Sequence, residues 1–300
     1  MARRLRRPVF RQFESMNPYS KFVSEFARLI TEGKSLPLGG FPPVPPPTPA
    51  KDAPTALFFA PHPDDETILG GLALRLLREA KWNVIDIAVT LGSIKDRKLG
   101  RSQELHNACR FLGYGLELVS PDGLDNVKPA TRAHDAPAWS RMVGLLAALL
   151  EKYRPKVIFF PHELDWNSTH VGVHFLVLDA LKAARDVQCH LVEFEFWGQM
   201  QTPNLMVEYS NDLVSDLIAA TTFHVGEVRR NPYHLLLPPW MMDNVRRGAE
   251  LVGGQGGAAP AFLFAQLFRL RHWTGSQIES CFAGGRYLTV SENPADLFKL

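Results

Sequence analysis

Between residues 56 and 197 the chain switches repeatedly between short apolar runs and longer stretches with apolar residues at helical spacing. This alternation limits the possible folds more than any other feature. The runs 56–60, 84–91, 116–119 and 157–161 read as strands, and 190–197 alternates like a strand near a sheet edge. The stretches 67–78, 101–112, 139–153 and 171–184 read as helices. Strands joined through helices of this length make βαβ units, and such units build a mostly parallel sheet. The expected fold is therefore α/β and Rossmann-like, a mostly parallel sheet flanked by helices. Past residue 200 the pattern changes. Residues 212–220, 241–251 and 261–270 read as helices, and Gly253–Gly257 as a flexible loop, so a C-terminal helical or lid region is expected.

Residues 1–50 differ from the rest. Asn17-Pro18 opens a helix, with Tyr19, Phe22, Phe26 and Leu29 at helical spacing and Gly33 suited to close it. The proline-dense stretch that follows blocks helix and central strand and reads as an extended linker. The division expected is an N-terminal helix and Pro-rich linker at 1–50, then one main domain at 51–300.

Composition excludes several classes of protein. With 46% hydrophobic and 21% charged residues, the chain is not disordered as a whole. The net charge of +2 gives no global signal for nucleic acid, and none is expected as a partner. The basic run at residues 2–7 reads as a solvated terminus. The three cysteines are far apart and lack CxxC spacing, which fits a reducing compartment and a cytoplasmic protein. No apolar run approaches the ~20 residues of a transmembrane segment. The sequence leaves a homo-oligomer open.

The chemistry lies in two polar clusters that follow apolar strands. The first is Ala60-Pro-His-Pro-Asp-Asp-Glu-Thr67. In an open parallel sheet the active site lies past the carboxyl ends of the strands, which is where this turn falls. Its prolines stiffen the turn. His62 and Asp65 can bind one metal, while Asp64 between them diverges. A simpler reading has Asp64, Asp65 and Glu66 favouring the helix N-terminus that follows; it leaves the histidine and the two prolines unexplained. The second cluster follows the strand 157–160 and holds His162, Asp165, Asn167, His170 and His174. His62, Asp65 and one histidine of the second cluster make a His₂Asp set with an open fourth position, the pattern of a catalytic zinc site. Nitrogen and oxygen ligands would also accept Fe²⁺ or Co²⁺.

The strand followed by His62-Pro-Asp-Asp-Glu66 resembles the signature of the PIG-L/LmbE-like deacetylases. Thr90-Leu-Gly92, Arg101-x-x-Glu104, Leu112-Gly113 and the cluster ending in His170 follow the order of that family. Known relatives remove acetate from N-acetylglucosamine linked to inositol, phosphatidylinositol, malate or other carriers. The resemblance implies Zn²⁺ held by His62, Asp65 and His170, with Asp64 as general base. It places Arg101 near the sugar, where the alternative is an ion pair with Glu104. It gives Asp122 a contact with sugar hydroxyls, where the alternative is a turn residue. The implied substrate is a small-molecule N-acetyl amino-sugar conjugate. His174 is expected to be structural.

The chain departs from the family at Asn167, where many members carry a histidine. Asn167 is expected to act as an oxyanion donor or as the cap of the next helix. His224 is a further candidate for the missing acid. Two alternatives stand beside the deacetylase reading: a zinc amidase on another amide, and a catalytically inactive sugar-binding homologue. A nucleotide-binding module is disfavoured, because no G-x-G-x-x-G opens the first helix and its carboxylates would repel phosphate.

Overall fold

The computed structural model describes residues 17–299, so the basic run at 2–7 lies outside the described residues. Two compact units divide the chain, Met1–Pro37 and Leu38–Leu300. The first holds helix α1 (Ser20–Gly33), which ends at Gly33 as its sequence predicts. In the second unit, residues 38–50 form no helix or strand, yet Leu38, Phe41 and Val44 pack against the core. The Gly39 N–H also donates to Thr222 Oγ1 at 3.0 Å. Proline forbids regular structure here, but it does not forbid packing.

Strand β1 (Thr55–Ala60) shows why the sheet is buried. Ala56, Phe58 and Ala60 enter one apolar cluster, while Leu57 and Phe59 enter another on the opposite face. A strand that is apolar on both faces must have layers on both sides. On the first face lie α2 (Asp65–Ile68), α3 (Gly71–Arg78), α4 (Lys98–Leu112) and, further on, α8 (Asn211–Thr221). On the second lie α6 (Ala136–Tyr153), after the short α5 (Pro129–His134), and α7 (Ser168–Ala183). Phe58 stacks on Phe159 and Phe194, with centroids 5.8 and 5.2 Å away, and so ties three strands together.

Among the described residues nine strands form one sheet. They are β1, β2 (Asn83–Ala88), β3 (Gly115–Leu118), β4 (Val157–Pro161), β5 (Cys189–Phe194), β6 (Leu205–Tyr209), β7 (Phe264–Trp273), β8 (Ile278–Ser280) and β9 (Arg286–Leu288). The order is β3-β2-β1-β4-β5-β7-β6-β9, with β8 on β7. The run β3-β2-β1-β4-β5 is parallel, as expected for a Rossmann-like fold. Helices α9 (Val225–Arg230) and α10 (Leu237–Leu251) complete the C-terminal part. No helix among the described residues is long and apolar enough to cross a membrane.

Two expectations need correction. Residues 261–270 are not a helix; most of them belong to β7, antiparallel to both β5 and β6. A short apolar run buried on both faces cannot be told from a buried helix by periodicity. The strand near residue 190 is not at an edge either, because β7 covers it. Its polar alternation reflects a buried ionic row. Glu193 takes hydrogen bonds from Arg269 at 2.7 Å and pairs with Arg271 at 2.8 Å, both from β7. Glu195 pairs with Arg247 of α10.

Candidate active site

The strand order reverses direction between β1 and β4, and at such a switch point the loops leave the sheet on opposite sides and open a crevice. The two polar clusters meet there. His62 Nδ1 lies 3.5 Å from Asp65 Oδ2, and His170 Nε2 lies 3.4 Å from the same oxygen. Donor atoms of His62, Asp65 and His170 all fall within 4.8 Å of one another. Asp65 is anchored by accepting the His62 backbone N–H at 2.9 Å. Thr90, two residues past the end of β2, pins the turn by donating to Pro61 O at 2.7 Å.

These residues suit a metal ion. His170 is fully buried, yet neither ring nitrogen has a hydrogen-bond partner, which is costly unless something else satisfies them. Asp165 Oδ2 stands 3.4 Å from His170 Nδ1, so a carboxylate backs this histidine, an arrangement that recurs behind the histidine ligands of metal sites. Burial works against a charged His170, but Asp65 and Asp165 outweigh it and raise its pKa to about 10. The site thus favours a positive charge at the place where a cation would sit. His62 is held below its ordinary pKa by burial, so it is available as a neutral ligand.

Asp64 diverges from Asp65, as expected. Its backbone has φ 133°, a region that non-glycine residues occupy at a cost of roughly 1–3 kcal/mol. Burial and the charge of Asp65 push its carboxyl well above the usual carboxylate range. Its Oδ2 accepts the Tyr233 hydroxyl at 2.7 Å. Arg101 donates to Pro63 O at 2.7 Å and lies 3.6 Å from Asp64 Oδ2. Among the described residues Arg101 pairs with Asp64 and, at 3.9 Å, with Glu227 rather than with Glu104, which accepts the Gly226 N–H. Gly92 has φ +84°, and a Cβ there would meet Arg101 Nη1 at 2.5 Å; the glycine leaves room for the guanidinium.

His62 and Asp64 line a cavity of about 570 Å³, within the usual range for small-ligand sites. Arg101 and Asn167 line it too. Asn167 caps α7, its Oδ1 accepting the Thr169 N–H at 2.9 Å. Asp122 does not reach the cavity. It is exposed in the turn closed by Gly123 N–H to Ser120 O, and Asp125 lines the wall instead. His224 is fully buried, 2.7 Å from Glu66 Oε1, and does not line the cavity. His174 bonds to Pro161 O at 3.0 Å, a structural contact. Glu163, His174 and Glu193 form a second close donor group, but Arg269 and Arg271 already neutralise its carboxylates. Sequence reasoning missed Trp197, Glu227, Arg230 and Tyr233, which also line the cavity. They lie outside every motif, and only the tertiary fold brings them together.

Fold and site together define a class: an α/β protein with a place for one metal ion at its switch point and a carboxylate beside it. Residues 57–181 match the PIG-L family, described as GlcNAc-PI de-N-acetylase, and the resemblance read from His62-Pro-Asp-Asp-Glu66 is thereby borne out. No curated protein matches the chain. Among solved structures, N,N'-diacetylchitobiose deacetylase from Pyrococcus horikoshii is 18% identical with a TM-score of 0.53, covering 88% of this chain and 96% of its own. A zinc-inhibited form of teicoplanin deacetylase is 14% identical with a TM-score of 0.51, covering 74% and 100%. The 4-carboxy-2-hydroxymuconate hydratase of Pseudomonas putida is 16% identical with a TM-score of 0.52, covering 72% and 95%. At these identities the likeness is one of fold, and the fold carries more than one chemistry.

Proposed function

We propose that the protein is a metal-dependent N-deacetylase that hydrolyses the acetamide of an N-acetylated amino sugar. The observation that carries this reading is the His62–Asp65–His170 donor set, which meets the cavity through His62, with Asp64 lining the cavity beside it. The name of the matching family and those of two structural neighbours support it. His62, Asp65 and His170 would hold the ion, for which the donor set favours Zn²⁺. When bound, the ion would supply a Lewis acid for the acetyl carbonyl and a more acidic water. Asp64, whose raised pKa suits proton exchange near neutrality, takes the proton of the attacking water and returns it to the departing amine. Arg101 steadies the turn that carries Asp64. Asn167, from the rim of the cavity, can donate through its Nδ2 to the developing oxyanion. The catalytic part of the deacetylase domain spans residues 51–300, with residues 38–50 packed onto it in the same compact unit, and the free cysteines support a cytoplasmic location.

The test is acetate release from a panel of N-acetylglucosamine conjugates, with Asp64→Asn and His170→Ala alongside. Asp64→Asn is expected to keep the metal and lose about 10²–10⁴-fold in rate. His170→Ala should lose both metal and activity. Wild-type protein that carries metal but releases no acetate from any conjugate refutes the proposal. Release from other amides alone would favour the amidase reading.

A further inference from the structure

We propose that Tyr233 is the positioning residue that holds the base, so that the C-terminal part of the chain completes the catalytic site; this rests on Asp64 acting as the base. Asp64 sits on a strained backbone, and such a conformation persists only where the surroundings over-determine it. Within the stretch that matches the family, the Asp64 N–H donates to Glu66 Oε2 at 2.9 Å. The Arg101 guanidinium lies 3.6 Å from Asp64 Oδ2, near but longer than a hydrogen bond. The short hydrogen bond to the carboxylate comes from outside that stretch, from Tyr233 Oη at 2.7 Å.

Tyr233 is well placed to hold a fixed geometry. It opens a short 3-10 turn directly after Pro232, and its ring is buried edge-on against Trp197, with centroids 6.5 Å apart. The same C-terminal region reaches the base by a second route, since His224 Nε2 lies 2.7 Å from Glu66 Oε1. One contact fixes the side chain of Asp64, and the other fixes the residue that holds its backbone.

The consequence is a division of labour between the two carboxylate oxygens. Oδ2 is occupied by the phenol, which leaves Oδ1 for the water. As the water oxygen bonds to the acyl carbon, its proton goes to Oδ1. As the C–N bond breaks, that proton passes to the amine nitrogen. The Tyr233 proton stays on its own oxygen throughout, because burial and the neighbouring Asp64 raise the pKa of the phenol.

The experiment is a double-mutant cycle of Tyr233→Phe and Asp64→Asn, assayed as acetate release from N-acetylglucosamine conjugates, with metal content and melting temperature measured on each variant. Phenylalanine keeps the ring packing and removes only the hydroxyl. Tyr233→Phe should lower kcat about 10- to 100-fold, the worth of one hydrogen bond to a charged group, with KM and metal content unchanged. In the Asp64→Asn background it should cause no further loss, because the two residues act as a unit. A Tyr233→Phe rate within about twofold of wild type would overturn the assignment, as would losses that multiply in the double variant or a loss of metal. Each of these leaves the deacetylase reading standing. A wild-type protein that releases no acetate removes the deacetylase reading, and the role of Tyr233 falls with it.

Discussion

Asp64 and Asp65 are adjacent and chemically alike, yet their surroundings push them in opposite directions. Burial raises both, but His170 and His62 pull Asp65 well below the usual carboxylate range, whereas Asp64 feels the negative charge of Asp65. Separating two carboxylates in this way is how one site obtains both a ligand and a proton acceptor. Asn167 carries two roles that can also be separated. Its Oδ1 caps α7, while its side chain borders the cavity. Serine caps a helix about as well as asparagine but has no amide donor. Asn167→Ser should therefore keep the melting temperature and lower kcat by about 10²–10³ if Nδ2 steadies the oxyanion. An unchanged kcat would reduce Asn167 to a cap, whose loss in Asn167→Ala costs about 1 kcal/mol.

At the scale of elements, the β5–β7 pairing determines how the C-terminal part joins the sheet. Arg269 of β7 bridges Glu193 of β5 and Glu163 of the loop after β4. Burial raises the Glu163 pKa, but Arg269 outweighs it and lowers the value from 4.5 to about 2. The folded value lies below the unfolded one, so this pair contributes stability that is present above about pH 4.5 and lost as pH falls toward 2. Denaturant unfolding of wild type between those limits should show a decline that Glu163→Gln flattens. Equal slopes for the two proteins would show that the bridge does not contribute. The residues explain why this pairing was hard to read in sequence. The glutamates at 193 and 195 look solvent-facing in an alternating strand, and only their arginine partners, far along the chain, make burial tolerable.

For the whole molecule, the proposed metal site would couple folding to metal, since an ion that binds only the folded site stabilises it by mass action. Metal at about a hundredfold its dissociation constant should add roughly 2.7 kcal/mol, a rise of roughly 5–10 °C in melting temperature for a domain of this size. Chelator should remove that rise in wild type and have no effect on His170→Ala; a rise that survives in His170→Ala would place the ion elsewhere. The sequence by itself determined the parallel half of the sheet and the two polar clusters at its switch point. Both are local signals: β1 and β4 are continuous apolar runs, and His62, Asp64 and Asp65 fall within four consecutive positions just after one of them. Tertiary structure alone decided the antiparallel half and the far wall of the cavity. Residues 264–273 have no period that separates strand from helix, and they become β7 because β5 and β6 offer it hydrogen bonds on both edges. Tyr233 follows Pro232 in an unremarkable turn, and it holds Asp64 only because packing of the C-terminal part brings its hydroxyl within 2.7 Å of that carboxylate.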